Sequence, residues 1–245
     1  MKPHAWKMIT CFVSEFIGAF MLVFLGCMGC VSSPLISNNH FQMCFNFGLV
    51  VMIVVQCCAC VSGAHANPAI SIAALIYGTL TLPMTFIYCV AQMLGAFVGY
   101  GLLRGILPEV LREAPHANHA LCVTTVHPEL YPLQGVFVEF IATGILLLIC
   151  CAVWDARNAN YHDSVSIRFG LAVACLAITA GPYTGCSMNP ARSFAPALWN
   201  VDFTDHWVYW LGPISGAITA TCLWKYILRA KEEKKIIERE ELPLN

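Results

Sequence analysis

SGAHANPAIS, Ser62–Ser71, and TGCSMNPARSF, Thr184–Phe194, are two versions of one segment set 122 residues apart. In each, an Asn stands where a helix N-cap is favoured and a Pro occupies the first helical position, where its missing N–H costs nothing. A helix is therefore predicted to start at Asn67-Pro68-Ala69 and another at Asn189-Pro190-Ala191. The same offset carries Phe47-Gly48-Leu49 onto Phe169-Gly170-Leu171, Gly63 onto Gly185 and Ser71 onto Ser193. Glu15-Phe16-Ile17 returns as Glu139-Phe140-Ile141 at offset 124, and Tyr88 and Gly95 return as Tyr209 and Gly216 at offset 121. Chance does not hold register over such a length, so the chain is two copies of one unit.

The medium follows from composition. Of 245 residues, 58% are hydrophobic and 11% charged, against about 25% charged in an ordinary soluble domain. Six apolar stretches approach the ~20 residues that a crossing helix needs: Met8–Val31, Met43–Ser62, Met84–Arg104, Gln134–Val153, Ile167–Pro182 and Trp207–Ile227. Pro68–Leu80 and Pro190–Trp199 are apolar but too short to cross, and read as re-entrant half-helices. Three crossings per copy make the second copy start on the opposite side of the bilayer, so the repeats are inverted about an axis in the membrane plane. The expected architecture is an all-α membrane protein of six transmembrane helices plus two half-helices. A single membrane domain spans residues 1–228, with repeat one about 8–104 and repeat two about 134–227.

Ten of the 13 basic residues fall on one side of this topology, which places both termini in the cytoplasm. No cleavable leader is expected ahead of the first span, which is long enough to be retained. The stretch 229–245 alternates charge and reads as a solvated tail. A net charge of −1 gives no electrostatic case for nucleic acid. The 14 cysteines lie mostly in apolar runs and read as packing residues, so a disulfide framework is not expected. His116, His119 and His127 in the long connection Gly105–Leu133 lack the spacing of a metal site and read as surface residues; no metal or cofactor is implied.

Inverted symmetry brings the two half-helix starts together near the bilayer centre with their positive dipole ends converging, a barrier to cations and protons. Glu15 and Glu139 lie deep in apolar spans. An ionisable residue there is functional by default, yet no His, Lys or Asp accompanies them in their helices. Each is read as a structural carboxylate that bonds backbone N–H groups of its half-helix loop, with proton chemistry as the alternative. His65 reads either as a pH-sensing pore-mouth residue or, the favoured reading, as a loop-stabilising hydrogen-bond partner.

These paired motifs, the inverted repeats and the buried Glu opening each copy resemble the aquaporins of the major intrinsic protein family, over about Trp6 to Tyr226. The resemblance implies a selectivity filter of four residues: Phe47 as aromatic wall, Cys186 as carbonyl donor, Arg192 as the guanidinium after the second motif, and Ala177 where water-selective members have His. Ala removes bulk and polarity, and the pattern is similar to the insect glycerol-permeable branch called entomoglyceroporins. It implies a passive channel for glycerol, urea and water that excludes ions and protons, multi-pass in the plasma membrane, homotetrameric, and not an enzyme. A water-selective channel is the alternative; a junctional or scaffold protein on a channel fold is a further one, and a coupled transporter would need an ion site. Gly95, Ala96, Gly99 and Gly216, Ala217, Ala220 suit helix contacts between subunits or within one. Cys186 is the thiol that motif placement puts at the filter, the other cysteines being expected to be less accessible to mercurials.

Overall fold

The computed structural model describes residues 3–32, 37–112, 120–161 and 163–229. His116, His119 and the charged tail beyond Arg229 lie outside the described residues. Among the described residues eight α-helices are formed: α1 (Pro3–Met28), α2 (His40–Ser62), α3 (Pro68–Tyr77), α4 (Leu82–Ile106), α5 (Pro132–Trp154), α6 (Val165–Thr184), α7 (Pro190–Asn200) and α8 (Val208–Leu223). Helices α1, α2, α4, α5 and α6 are each long and apolar enough to cross a bilayer. The sixth crossing differs from expectation: α8 has 16 residues and runs on into a five-residue π-helical turn, Trp224–Leu228. Together they reach about 30 Å, the thickness of the hydrocarbon core.

The short helices obey the capping logic. Asn67 Oδ1 accepts the Ala69 N–H at 2.8 Å and Asn189 Oδ1 accepts the Ala191 N–H at 3.0 Å, with Pro at the first position of both helices. At 10 and 11 residues, α3 and α7 span about 15–17 Å, half a bilayer. Their C-termini are capped symmetrically by a residue pair that sequence reading left without a role. Arg104, at the end of α4, donates to Trp199 O at 2.9 Å and Asn200 Oδ1 at 2.6 Å, while Lys225, in the π-helical turn that follows α8, donates to Ile76 O. Each cation sits on the negative end of the other repeat's half-helix.

Packing repeats with the sequence. At the α1–α4 crossing a Cβ on Gly95 would lie 2.2 Å from Phe16 O, and at the α5–α8 crossing a Cβ on Gly216 would lie 2.3 Å from Phe140 O. These glycines therefore let backbones touch within the subunit. That decides the question left by their spacing: Gly95, Gly99 and Gly216 are spent on intrasubunit contacts and cannot mark a face between subunits. The Phe-Gly-Leu repeat has a related cause, since α2 and α6 cross where Gly48 and Gly170 meet; a Cβ on either would come within 2.8 Å of the other's carbonyl oxygen. Large apolar side chains such as Phe86, Leu94, Phe137, Ile141 and Leu171 point outward, the inverse of a soluble fold and the pattern of a lipid-facing surface.

One face of the bundle is pinned by polar contacts. Asp155, just past α5 and 4% exposed, accepts from Arg157 Nε and Nη2 at 2.8 and 2.7 Å, from the Arg157 backbone N–H at 3.0 Å and from Trp224 Nε1 at 3.1 Å. The Arg157 hydrogen bonds are the main reason its carboxyl is held well below the usual range. Arg157 is half exposed, so the ion pair itself contributes little; the buried bonds to Trp224 and the backbone matter more. Asp155→Ala is expected to cost about 1–3 kcal/mol, read as a lowered unfolding midpoint of the detergent-solubilised protein. With a depressed folded-state value, this contribution is present in full above about pH 4 and is lost only as pH falls further. A variant whose midpoint equals wild type at pH 7 would show that the α5–α8 pin is dispensable.

Candidate functional site: a lumen between the two half-helices

A cavity of about 340 Å³ runs between α2, α6 and the two half-helix loops. Phe47, Ala177, Cys186 and Arg192, drawn from α2, α6, the loop before α7, and α7 itself, all line it, together with Asn67, Asn189 and His65. The two half-helix starts meet. Asn67 Nδ2 donates to Met188 O at 2.8 Å, and Asn189 Nδ2 donates to Ala66 O at 2.9 Å, so each cap is tied to the residue preceding the other cap. Since Oδ1 of each Asn is already used as an N-cap, the amide orientation is determined. Each amide has two hydrogens, one of which is committed across the axis, leaving one on each Asn for the lumen.

The loops that deliver these caps share an unusual backbone. Gly63, Ala64 and Ala66 have φ of 88°, 52° and 47°; Gly185, Cys186 and Met188 have 74°, 46° and 51°. Left-handed conformation at non-Gly residues costs of order 1 kcal/mol each, so something must hold them. Glu15, 1% exposed, accepts from the His65 and Ala66 N–H groups at 2.9 and 2.7 Å, from Ser62 Oγ at 2.6 Å and from Gln92 Nε2 at 2.6 Å. Glu139, fully buried, accepts from the Ser187 and Met188 N–H groups at 2.8 and 2.7 Å and from Thr184 Oγ1 at 2.7 Å. Tyr88 and Tyr209 close the same loops by donating to Ser62 O at 2.8 Å and Thr184 O at 3.1 Å. His65 Nδ1 lies 3.1 Å from Ser71 Oγ, and the residue also lines the lumen.

Arg192 is buried, with its guanidinium carbon 5.0 Å from the Phe47 ring centroid. Its Nη1 donates to Cys122 O at 2.7 Å. A guanidinium has five N–H donors, and this bond commits one of them. Phe47 is positioned in turn by Gly26, where a Cβ would come 2.4 Å from the ring.

Cysteine is where sequence reading failed. Cys27, 0% exposed near the end of α1, and Cys122, in the α4–α5 connection, form a disulfide. Cys27 looked like a packing residue because it sits in an apolar run, and no spacing rule links it to a residue in a distant loop. Nor is Cys186 alone on the lumen: Cys30 and Cys44 are free and line it as well, although both lie on or beside apolar helices. Gln92, which bridges Glu15 and Ser71 at 2.6 and 2.9 Å, had no motif. Tyr88 and Tyr209 stood in register in the repeat, a usable signal whose role only the fold supplies. His127 is exposed and accepts the Glu129 N–H.

The comparisons with known proteins point one way. The family profile described as MIP, Major intrinsic protein, matches residues 2–224. The chain is 35% identical to the lens fiber major intrinsic protein of Gallus gallus over 97% of its own length and 89% of that protein's. It is 36% identical to aquaporin-2 of Bos taurus over 88% of its length and 78% of that protein's. Among solved structures it is similar to the aquaglyceroporin from Plasmodium falciparum, with a TM-score of 0.78, 28% identity, and coverage of 90% of this chain and 97% of that one.

Proposed function

This chain belongs to the major intrinsic protein family, whose aquaporin members are passive channels and not enzymes, and from that premise we propose that it conducts glycerol and urea as well as water while excluding ions and protons. The observation that carries the reading is Ala177, a methyl-bearing residue on the same lumen as Arg192, Phe47 and Cys186, where a larger polar side chain would narrow the passage. Pore diameter and lining hydrogen-bond groups set solute selectivity in such channels. Arg192 and the two Asn amides supply donors for hydroxyl or carbonyl oxygens, and Phe47 supplies an apolar wall for a carbon backbone. Arg192 together with the converging positive ends of α3 and α7 opposes cations. The similarity to the aquaglyceroporin from Plasmodium falciparum supports this reading, and the filter pattern is in keeping with the insect glycerol-permeable branch. The channel unit is residues 1–228, in the plasma membrane with both termini cytoplasmic, assembled as a homotetramer with one lumen per subunit. A mass near the single-chain 26.9 kDa after detergent and lipid are subtracted would refute the tetramer.

The test is stopped-flow light scattering on proteoliposomes under sucrose, glycerol and urea gradients. Wild type is expected to raise all three fluxes above empty vesicles; water flux without glycerol flux would favour the water-selective alternative. A second check uses a mercurial, which binds thiols on the lumen. Because Cys30 and Cys44 join Cys186 there, Cys186→Ser should weaken the block and the triple serine variant should abolish it. Block persisting in the triple variant would mean that solute does not pass through this cavity.

A further inference from the structure

Residues 121–124 of the α4–α5 connection lie beside the start of α7 and are tied at three points. Tyr100 Oη donates to Leu121 O at 2.6 Å, Cys122 is bonded to Cys27 at the end of α1, and Thr124 Oγ1 donates to Ser193 Oγ at 2.7 Å. The middle point is also where Arg192 Nη1 finds its acceptor, the Cys122 carbonyl. Cys122 itself has φ of 66°, a left-handed backbone state that costs an L-residue of order 1 kcal/mol. The covalent tie therefore fixes the residue whose carbonyl fixes the guanidinium.

We propose that the Cys27–Cys122 disulfide positions Arg192, so that the solute selectivity of the channel depends on the redox state of this bond. Cys27 and Cys122 are positioning residues, acting through Arg192; the proposal rests on the reading of Arg192 as part of the filter. Cys122 is part-exposed and lines the lumen, the side from which a small uncharged dithiol can approach this residue. In the reaction, the dithiol's thiolate attacks the Cys122–Cys27 bond, and the mixed disulfide is resolved by its second thiol. A cyclic disulfide leaves, and two electrons and two protons end on the cysteine sulfurs. A low-molecular-weight disulfide reverses the exchange. Once the tie is open, Cys122 can relax out of its left-handed state, its carbonyl leaves Arg192, and the guanidinium samples the lumen. A solute that fills the passage is hindered more than water.

The experiment compares glycerol and water permeability in proteoliposomes of the full chain before and after dithiothreitol, with mass spectrometry after alkylation to count two additional thiols. The ratio of glycerol to water permeability is expected to fall by about twofold or more on reduction, to recover on reoxidation with the small uncharged 2-hydroxyethyl disulfide, and to be low and unresponsive to dithiothreitol in the Cys27→Ser/Cys122→Ser double variant. Reducing protein that is already folded and reconstituted avoids dependence on whether the variant folds. An unchanged ratio with both thiols alkylated overturns the proposal, as does a parallel loss of both fluxes, which would report a collapsed fold. Ala177→His separates the two readings: if it shifts the ratio and reduction does not, the disulfide proposal alone falls; if neither does, the filter reading falls and takes this one with it.

Discussion

Ala177→His is expected to lower the ratio of glycerol to water permeability about tenfold or more, a change that needs only ~1.4 kcal/mol of additional barrier for the larger solute. The substitution puts an imidazole into the lumen that Ala177 shares with Arg192, Phe47 and Cys186. Glycerol must shed more of its hydration than water does and must fit its carbon chain past the ring, whereas a water molecule needs only the two polar groups that His and Arg would then offer. Water flux should survive in large part. The competing outcome is a packing defect, since Ala177 is 7% exposed and belongs to the cluster that includes Leu176, Cys186 and Met188; overpacking there costs about 1–3 kcal/mol. In that case both fluxes and the yield of folded protein would fall together. Measured at matched protein density, an unchanged ratio would detach Ala177 from selectivity and remove the principal support for glycerol over water alone.

The architecture was legible because inverted repetition prints the same constraint twice. Gly48 and Gly170 are each other's neighbours across one crossing, and Gly95 and Gly216 each receive a Phe carbonyl, so these backbone approaches left a matching glycine in each repeat. Asn-Pro-Ala was legible for a local reason, capping geometry, which needs no knowledge of the rest of the chain. What stayed hidden has no local signature. The bonds from Asn67 to Met188 and from Asn189 to Ala66 are long-range consequences of the axis. The caps from Arg104 and Lys225 stand at equivalent places in the two copies, yet basic residues at span ends are expected on topology grounds alone. The disulfide was missed because it belongs to neither repeat's symmetry: it joins α1 to the connection between the copies, the one region with no duplicate to read it against.

The second large effect concerns the carboxylates. Glu139→Leu leaves the Ser187 and Met188 N–H groups and the Thr184 hydroxyl without their acceptor. At about 1–3 kcal/mol for each buried orphan, a loss on the order of 4 kcal/mol or more should prevent the chain from reaching a folded, membrane-inserted state in useful yield. Glu15→Leu should behave alike, because Glu15 holds His65, Ala66, Ser62 and Gln92 in the same way. The isosteric changes separate structure from chemistry. In Glu139→Gln the amide oxygen can keep Ser187 and Thr184 while its NH2 faces the Met188 N–H, so one bond is lost and the cost should be about 1–3 kcal/mol. The protein should still fold, with a lower thermal midpoint and nearly wild-type water permeability. If the carboxylate instead carried protons or catalysed a reaction, removing its charge would abolish function at little cost in stability. A Glu139→Gln protein with an unshifted midpoint and no flux would therefore overturn the structural role, and a destabilised but conducting one would establish that this buried charge exists to hold a left-handed loop open beside the lumen.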